Sequence, residues 1–166
     1  QHMRSYWLKS ASQERLEVSV SSVIQRALSL IMQKIRAHDI YLKIEEKKPD
    51  LTITANALQL EIIINNLIIN AIQAIDEKEQ DEKVIVISYG IEHDKKFISI
   101  ADSGIGLPEG VSVEKLFEPF FSTKKQGKGT GLGLAIVKVF TQRIGGTIDA
   151  YNNEMGGATF KITFDK

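Results

Sequence analysis

"NALQLEIIINNLIINAIQAID", residues 56–76, is apolar along nearly its whole length, yet amide side chains interrupt it at regular intervals. At about 100° per residue, Gln59, Asn66, Asn70 and Gln73 fall in a stripe only ~60° wide. The run therefore predicts one long buried helix carrying a single polar stripe. Asparagine is a poor helix-interior residue, because its amide competes for backbone partners, so two of them four apart need a reason. Two readings stand at this point. One is a solvated face or a satisfied buried network. The other is a site in which the Asn66 oxygen meets a hard cation and Asn70 meets phosphate; a neutral amide oxygen suits Mg²⁺, which keeps several waters and takes few protein ligands. Glu61 points about 140° away from Asn66 around the helix and reads as a solvated residue beside Asn65. One turn before Asn66 the stripe holds Ile62, and an isoleucine cannot activate water.

Outward from this helix the pattern alternates between strands and helices. "LEVSV" (16–20) reads as a short strand, followed by an amphipathic helix with a serine at its start, whose apolar positions include Val23, Ala27, Leu30, Ile31 and Ile35. "IYLKIE" (40–45) and "LTIT" (51–54) alternate like strands on either side of the polar turn "EKKPD". Beyond the long helix, "KVIVISYGI" (83–91) and "KFISIAD" (96–102) predict a hairpin across "EHDK". A third helix from about Gly131 to Ile144 leads into two closing strands, "GGTIDAYN" and "GGATFKITF". The order β-α-β-β-α-β-β-α-β-β predicts a two-layer α/β sandwich, its mixed and mostly antiparallel sheet covered by helices on one face.

The loops carry the chemistry. In "DSGIGLP" (102–108), Asp102 stands at a strand end with Gly104 and Gly106 two and four residues on. That is common in ordinary turns; its functional reading is a half-buried carboxylate accepting from an exocyclic amine such as N6 of adenine, with the glycines letting backbone pass close to the base. "LFEPFFSTK" (116–124) reads as an aromatic plug pinning a loop to the core, with Lys124 and Lys125 behind it. "GKGTGLGLA" (127–135) spaces glycines at alternate positions before the apolar run "LAIVKVF". Bared main-chain N–H groups and a helix N-terminus together favour an anion. It is not a Walker A loop, because Gly129 separates Lys128 from Thr130, and it does not fit G-x-G-x-x-G.

Composition narrows the class. The 166 residues suffice for one globular domain with a real core. Lys+Arg and Asp+Glu are both 21, so no chain-wide field draws nucleic acid or acidic membrane. The absence of cysteine excludes disulfides, thiolate metal sites and cysteine nucleophiles, and a reducing cytoplasm is the natural setting. No apolar run is expected to approach the roughly 20 residues that span a bilayer. The opening "QHM" reads as a tag remnant.

With these pieces in order, the chain resembles the ATP-binding catalytic domain of sensor histidine kinases, in the GHKL (Bergerat-fold) superfamily. "NLIINAIQA" is similar to the N box, "DSGIGLP" to the first glycine box, "FEPFFSTK" to the F box and "GKGTGLGLAIVK" to the second glycine box. The resemblance runs from about Leu16 to Phe164 and is strongest to nitrogen- and dicarboxylate-sensing kinases; it implies that residues 1–15 are the tag remnant and the end of a dimerisation helix or linker, and that 16–166 are the ATP-binding catalytic domain. It implies ATP and Mg²⁺ as cofactors. Asn66 would ligate Mg²⁺, Asn70 would contact the phosphates, and Lys124 would join them in catalysis. Asp102 would read the adenine amine, with Thr159 helping through water, while Gly104 and Gly106 shape the base pocket. Residues 121 to 130 would form a mobile lid, and Gly129, Thr130, Gly131, Leu132 and Gly133 would offer N–H groups to the phosphates. Many relatives carry a basic residue three positions after the second asparagine; here Gln73 takes that place in the nucleotide site.

The family's phosphoacceptor box is absent: His38 lacks the following Asn-Pro, and His93 falls in a hairpin turn. The resemblance thus implies transfer of the γ-phosphoryl to a histidine on a dimerisation domain of the same protein, outside this chain. A response-regulator receiver domain would follow as partner, with no nucleic acid. This domain would be monomeric and cytoplasmic, within a homodimeric inner-membrane sensor. The alternatives are a GHKL-type ATPase, an anti-sigma-type serine kinase and a non-catalytic nucleotide-binding module.

Overall fold

The computed structural model describes residues 15–121 and 132–165. Strand β1 (Leu16–Ser19) leads into helix α1 (Val20–Ala37), then β2 (Tyr41–Glu46), β3 (Thr52–Ala55) and the long helix α2 (Ala57–Asp76). Strands β4 (Val84–Glu92) and β5 (Lys95–Asp102) follow, then a short helix α3 (Val113–Leu116), helix α4 (Gly133–Arg143), and strands β6 (Gly146–Asn152) and β7 (Ala158–Phe164). The expected order is reproduced, with α3 added in the loop before the aromatic plug.

Five strands form one sheet in the order β2-β4-β5-β7-β6, and only β2–β4 is parallel. The strands flanking "EKKPD" do not pair with each other: β2 joins β4, whereas β3 forms a separate antiparallel pair with β1. The β4–β5 hairpin turns through His93 and Asp94, both at positive φ (51° and 64°), which matches the right-handed twist of the flanking strands.

One face of the sheet presents Ile85 and Ile87, Ile98 and Ile100, and Phe160 and Ile162, all buried. Helix α2 lies over the sheet between α1 and α4. Its buried side, including Leu60, Ile63, Ile64, Leu67, Ile68 and Ile75, forms the centre of the core. Each such side chain contributes about 1.5–3 kcal/mol on leaving water. By length and composition α2 is apolar enough to cross a membrane, contrary to the expectation from sequence. The scattered amides do not offset its isoleucines and leucines, and those residues are spent on the sheet and the flanking helices. The cap of α1 is Ser19, the last residue of β1, whose hydroxyl accepts from Ser22 N at 3.2 Å.

Candidate functional site

The polar stripe of α2 forms one wall of a cavity of about 390 Å³. Asn66, Asn70 and Gln73 line it, with Ile69, Ala74 and Glu77 between and beyond them; Gln59, earlier on the stripe, does not. The Asn66 amide nitrogen donates to the Ile62 carbonyl at 2.8 Å. A carbonyl only accepts, so the nitrogen must be the atom facing it, and Oδ1 is left turned toward α4. A Cβ on Gly133 would stand 3.2 Å from that oxygen. An otherwise unfavourable helix-interior asparagine is thereby held in one orientation by its own backbone.

At the opposite end lies Asp102, the last residue of β5 and only 1% exposed. Its Oδ1 accepts from Gly104 N at 2.8 Å and from Ala158 N at 3.3 Å. The glycine turn then presses onto α2: a Cβ on Gly104 would lie 2.5 Å from the Ala74 carbonyl carbon, and Ile105 N donates to Ala74 O at 3.2 Å. Gly106, at φ +81°, continues the turn beside Asn152, whose Oδ1 accepts from Leu107 N at 2.8 Å. Gly157 is the tightest point, since a Cβ there would sit 2.1 Å from the Asp102 carbonyl oxygen.

Asn153 ties this end together. Its Oδ1 accepts from Met155 N (2.9 Å) and Gly157 N (3.2 Å), while its Nδ2 donates to the Asp102 carbonyl (3.0 Å) and to Thr159 Oγ1 (3.2 Å). Nothing in the sequence singled it out, because its partners include main-chain atoms far away in the chain. Gly157, Ala158 and Glu77 were missed in the same way.

The third wall is the start of α4. Leu132, Gly133, Leu134 and Ile136 line the cavity there, and among the described residues no side chain caps the helix. The other helices differ: Ser19, Asn56 and Ser112 each accept from a first-turn N–H. The aromatic plug is partly as expected. Leu116 and Phe117 are buried, and Phe117 meets Phe160 edge-on with ring centroids 6.2 Å apart. Phe121 lines the cavity, but Phe120 stands 75% exposed at φ +65°. Lys124, Gly129, Thr130 and Gly131 lie outside the described residues.

Two expectations need correction. Thr159 does not line the cavity; strand alternation turns Ala158 and Phe160 toward it, and the Thr159 hydroxyl meets Asn153 on the other side of β7. Glu61 is not solvated: its side chain is only 14% exposed and faces Arg26 of α1 at 3.8 Å, away from the cavity. His38 is held to Asp76 at 3.0 Å where α1 and α2 end.

Comparison with known proteins places this geometry in a family. Residues 55–166 match the model for histidine kinase-, DNA gyrase B-, and HSP90-like ATPases. The C4-dicarboxylate transport sensor protein DctB of Pseudomonas aeruginosa is 30% identical over 161 residues, covering 97% of this chain and 26% of that protein. The chain thus spans about a quarter of that curated relative. Among solved structures, the catalytic domain of histidine kinase ThkA superposes with a TM-score of 0.79 at 32% identity, over 92% of this chain and 95% of that one. A structure of ThkA in complex with the response regulator TrrA gives 0.74 at 27% identity, over 98% of this chain and 46% of that one. The chain belongs to the histidine kinase-, DNA gyrase B-, and HSP90-like ATPase family, and within it to the ATP-binding catalytic domains of two-component sensor histidine kinases.

Proposed function

We propose that the cavity holds Mg–ATP with its base at Asp102 and its phosphates at Asn66 and Asn70, and delivers the γ-phosphoryl to a histidine on a dimerisation domain outside this chain. The carrying observation is the pairing of two fixed groups across one cavity. The buried Asp102 carboxylate lies at one end, and the Asn66 amide oxygen, aimed by its Ile62 contact, lies at the other. An amide oxygen turned toward a helix start fits Mg²⁺, which favours oxygen donors. When bound, Mg²⁺ would neutralise charge on the phosphate oxygens during transfer.

The chain's own residues then have distinct tasks. Asp102 accepts from the exocyclic amine of adenine, Gly104 lets the turn pack onto α2 at Ala74, and Gly106 lines the space for the base. Asn70 and Gln73 contact the phosphate and sugar region as neutral groups. Gly133 and Leu132 lead the start of α4 toward the phosphates, with Gly131, Thr130, Gly129 and Lys124 continuing that contact from the lid. The P–O bond to the ADP leaving group breaks as a P–N bond to the acceptor imidazole forms, and the imidazole proton passes to a base on the acceptor domain. Positioning and charge stabilisation supply the catalysis. Hydrolysis is disfavoured by the placement of Glu61, since its carboxylate is engaged with Arg26 and Ile62 occupies the position one turn before Asn66.

The ThkA–TrrA complex motivates a receiver domain as the downstream partner. A cytoplasmic setting within a homodimeric inner-membrane sensor, with residues 16–166 as the domain and the preceding residues as the end of a dimerisation helix, completes the proposal. The test is transfer of radiolabel from [γ-³²P]ATP to a separately supplied dimerisation domain. The expected product is acid-labile phosphohistidine. Steady ATP hydrolysis by the chain alone, dependent on Glu61, would favour the ATPase alternative instead.

A further inference from the structure

Glu77 extends the polar stripe of α2 one residue past the helix. Counting 100° per residue from Asn66, positions 70, 73 and 77 stay within about 60° of one another, and all of them line the cavity. Two features make this carboxylate costly where it stands. Its Oε2 is buried and has no hydrogen-bond partner among the described residues. It also caps the C-terminus of α2, the negative end of the helix dipole, where the last turn holds no basic residue.

Its neighbours are already committed. Asp76, the other acid at this helix end, is hydrogen-bonded to His38 at 3.0 Å. Lys78 reaches instead toward the Ser103 and Gly104 carbonyls, at 3.5 Å each. A buried acceptor without a donor loses the hydration it had in the unfolded chain, and that loss is recovered if a ligand supplies the donor.

We propose that Glu77 is a further nucleotide-reading residue, its Oε2 accepting a hydrogen bond from a donor on the nucleoside half of the ligand. The proposal rests on the ATP-binding reading above. Glu77 lies about 16 Å along the helix axis from Asn66, on the side of Ile105 and Gly106 rather than of Gly133. Phosphate oxygens at neutral pH are acceptors and anionic, so a carboxylate selects against them. The donors available on the nucleoside are the ribose hydroxyls and the exocyclic base amine.

Calorimetry on the 166-residue chain separates these sources. Wild type, Glu77→Gln and Glu77→Ala are titrated with Mg–ATP, 2′-deoxy-ATP, 3′-deoxy-ATP and purine riboside triphosphate, which lacks the amine. Thermal melting confirms that each variant is folded, and the nearly isosteric Glu77→Gln serves if Glu77→Ala is not. The expected result is a loss of roughly tenfold in ATP affinity for Glu77→Ala and a smaller loss for Glu77→Gln, whose amide oxygen still accepts. Against the one analogue missing the bonded donor, the effect of either substitution should shrink to within about twofold. ATP affinity unchanged or tightened in Glu77→Ala, or an equal loss for all four ligands, overturns the proposal while leaving the ATP reading intact. Failure of folded wild type to bind ATP overturns the ATP reading itself, and this proposal with it.

Discussion

At the Asp102 end of the cavity the walls are fastened to one another: Asp102 holds Gly104 and Ala158, Asn153 holds Asp102, Gly157 and Thr159, and Ser103 accepts from Val84 N at 2.9 Å. At the Gly133 end a helix begins with no side-chain cap among the described residues, and the Asn66 amide oxygen faces it. The turn at the first end is held by the protein's own hydrogen bonds. At the second, the positive dipole end of α4 favours an anion. On the proposed reading, the domain is preformed where it recognises the base and finished by the ligand where phosphate moves. Substitutions at the two ends should therefore behave differently.

The largest effect is expected at Gly157. A Cβ there would meet the Asp102 carbonyl oxygen at 2.1 Å and its Oδ1 at 2.5 Å, and neither atom can move without breaking the turn. Gly157→Ala should cost about 3 kcal/mol of stability and weaken ATP binding by at least ~100-fold. Thermal unfolding and calorimetry on the same sample check both. Asp102→Ala comes next. It strips the acceptor from the Gly104 and Ala158 N–H groups, so stability should fall by about 2 kcal/mol, with nucleotide affinity down roughly 30-fold or more. If Asp102→Ala abolished binding yet left the melting temperature unchanged, the carboxylate would be only a ligand contact and the base end would not be preformed.

How much of this was legible follows the range of the interactions. The α2 stripe could be read because helical period is local, and Asn66, Asn70 and Gln73 do share one cavity wall. Asp102 was a weak signal alone, since a carboxylate before glycines is common in ordinary turns, and became legible only with the other motifs in order. Thr159 was placed by resemblance, although "ATFKITF" alternates Thr159, Lys161 and Thr163 against Phe160, Ile162 and Phe164. That alternation already assigns Thr159 to the face away from the core. Asn153 could not be read, since its bond to the Asp102 carbonyl, 51 residues away, is one that only the fold brings near. The partnering of β2 with β4 rather than β3 was hidden for the same reason: a polar turn between alternating runs does not say which sheet each run joins.

Gly133 tests the other end, with a smaller effect and a different sign. Its Cβ would stand 3.2 Å from Asn66 Oδ1, crowding the oxygen without closing the backbone. Alanine is also the better helix former, by up to about 1 kcal/mol. Gly133→Ala should therefore raise the melting temperature slightly while lowering Mg-dependent ATP affinity roughly fivefold. At Gly157 stability and binding fall together; at Gly133 they should part. If both fell at Gly133 as well, the contrast between the two ends would fail.

The smallest effect should come from a carboxylate at the far end of the same hairpin. Glu92 closes β4 at the turn, whereas Asp102 ends β5 at the cavity. Hydrogen bonding to Lys161 holds the Glu92 carboxyl below its ordinary value of 4.5, with the Lys161 and Lys47 charges adding to it and partial burial opposing. A depressed folded value means that the pair stabilises above the unfolded value and that this contribution is lost as pH falls through the folded one. Urea denaturation from roughly pH 6 to pH 3 should thus show wild-type stability declining more steeply than that of Lys161→Met, whose Glu92 lacks its main partner. Lys161 lies on the face of β7 opposite Phe160 and Ile162, so ATP affinity at neutral pH should not move in this variant. A change there would mean that the sheet carries strain from the turn to the base end, and that the base end is held by more than its own hydrogen bonds.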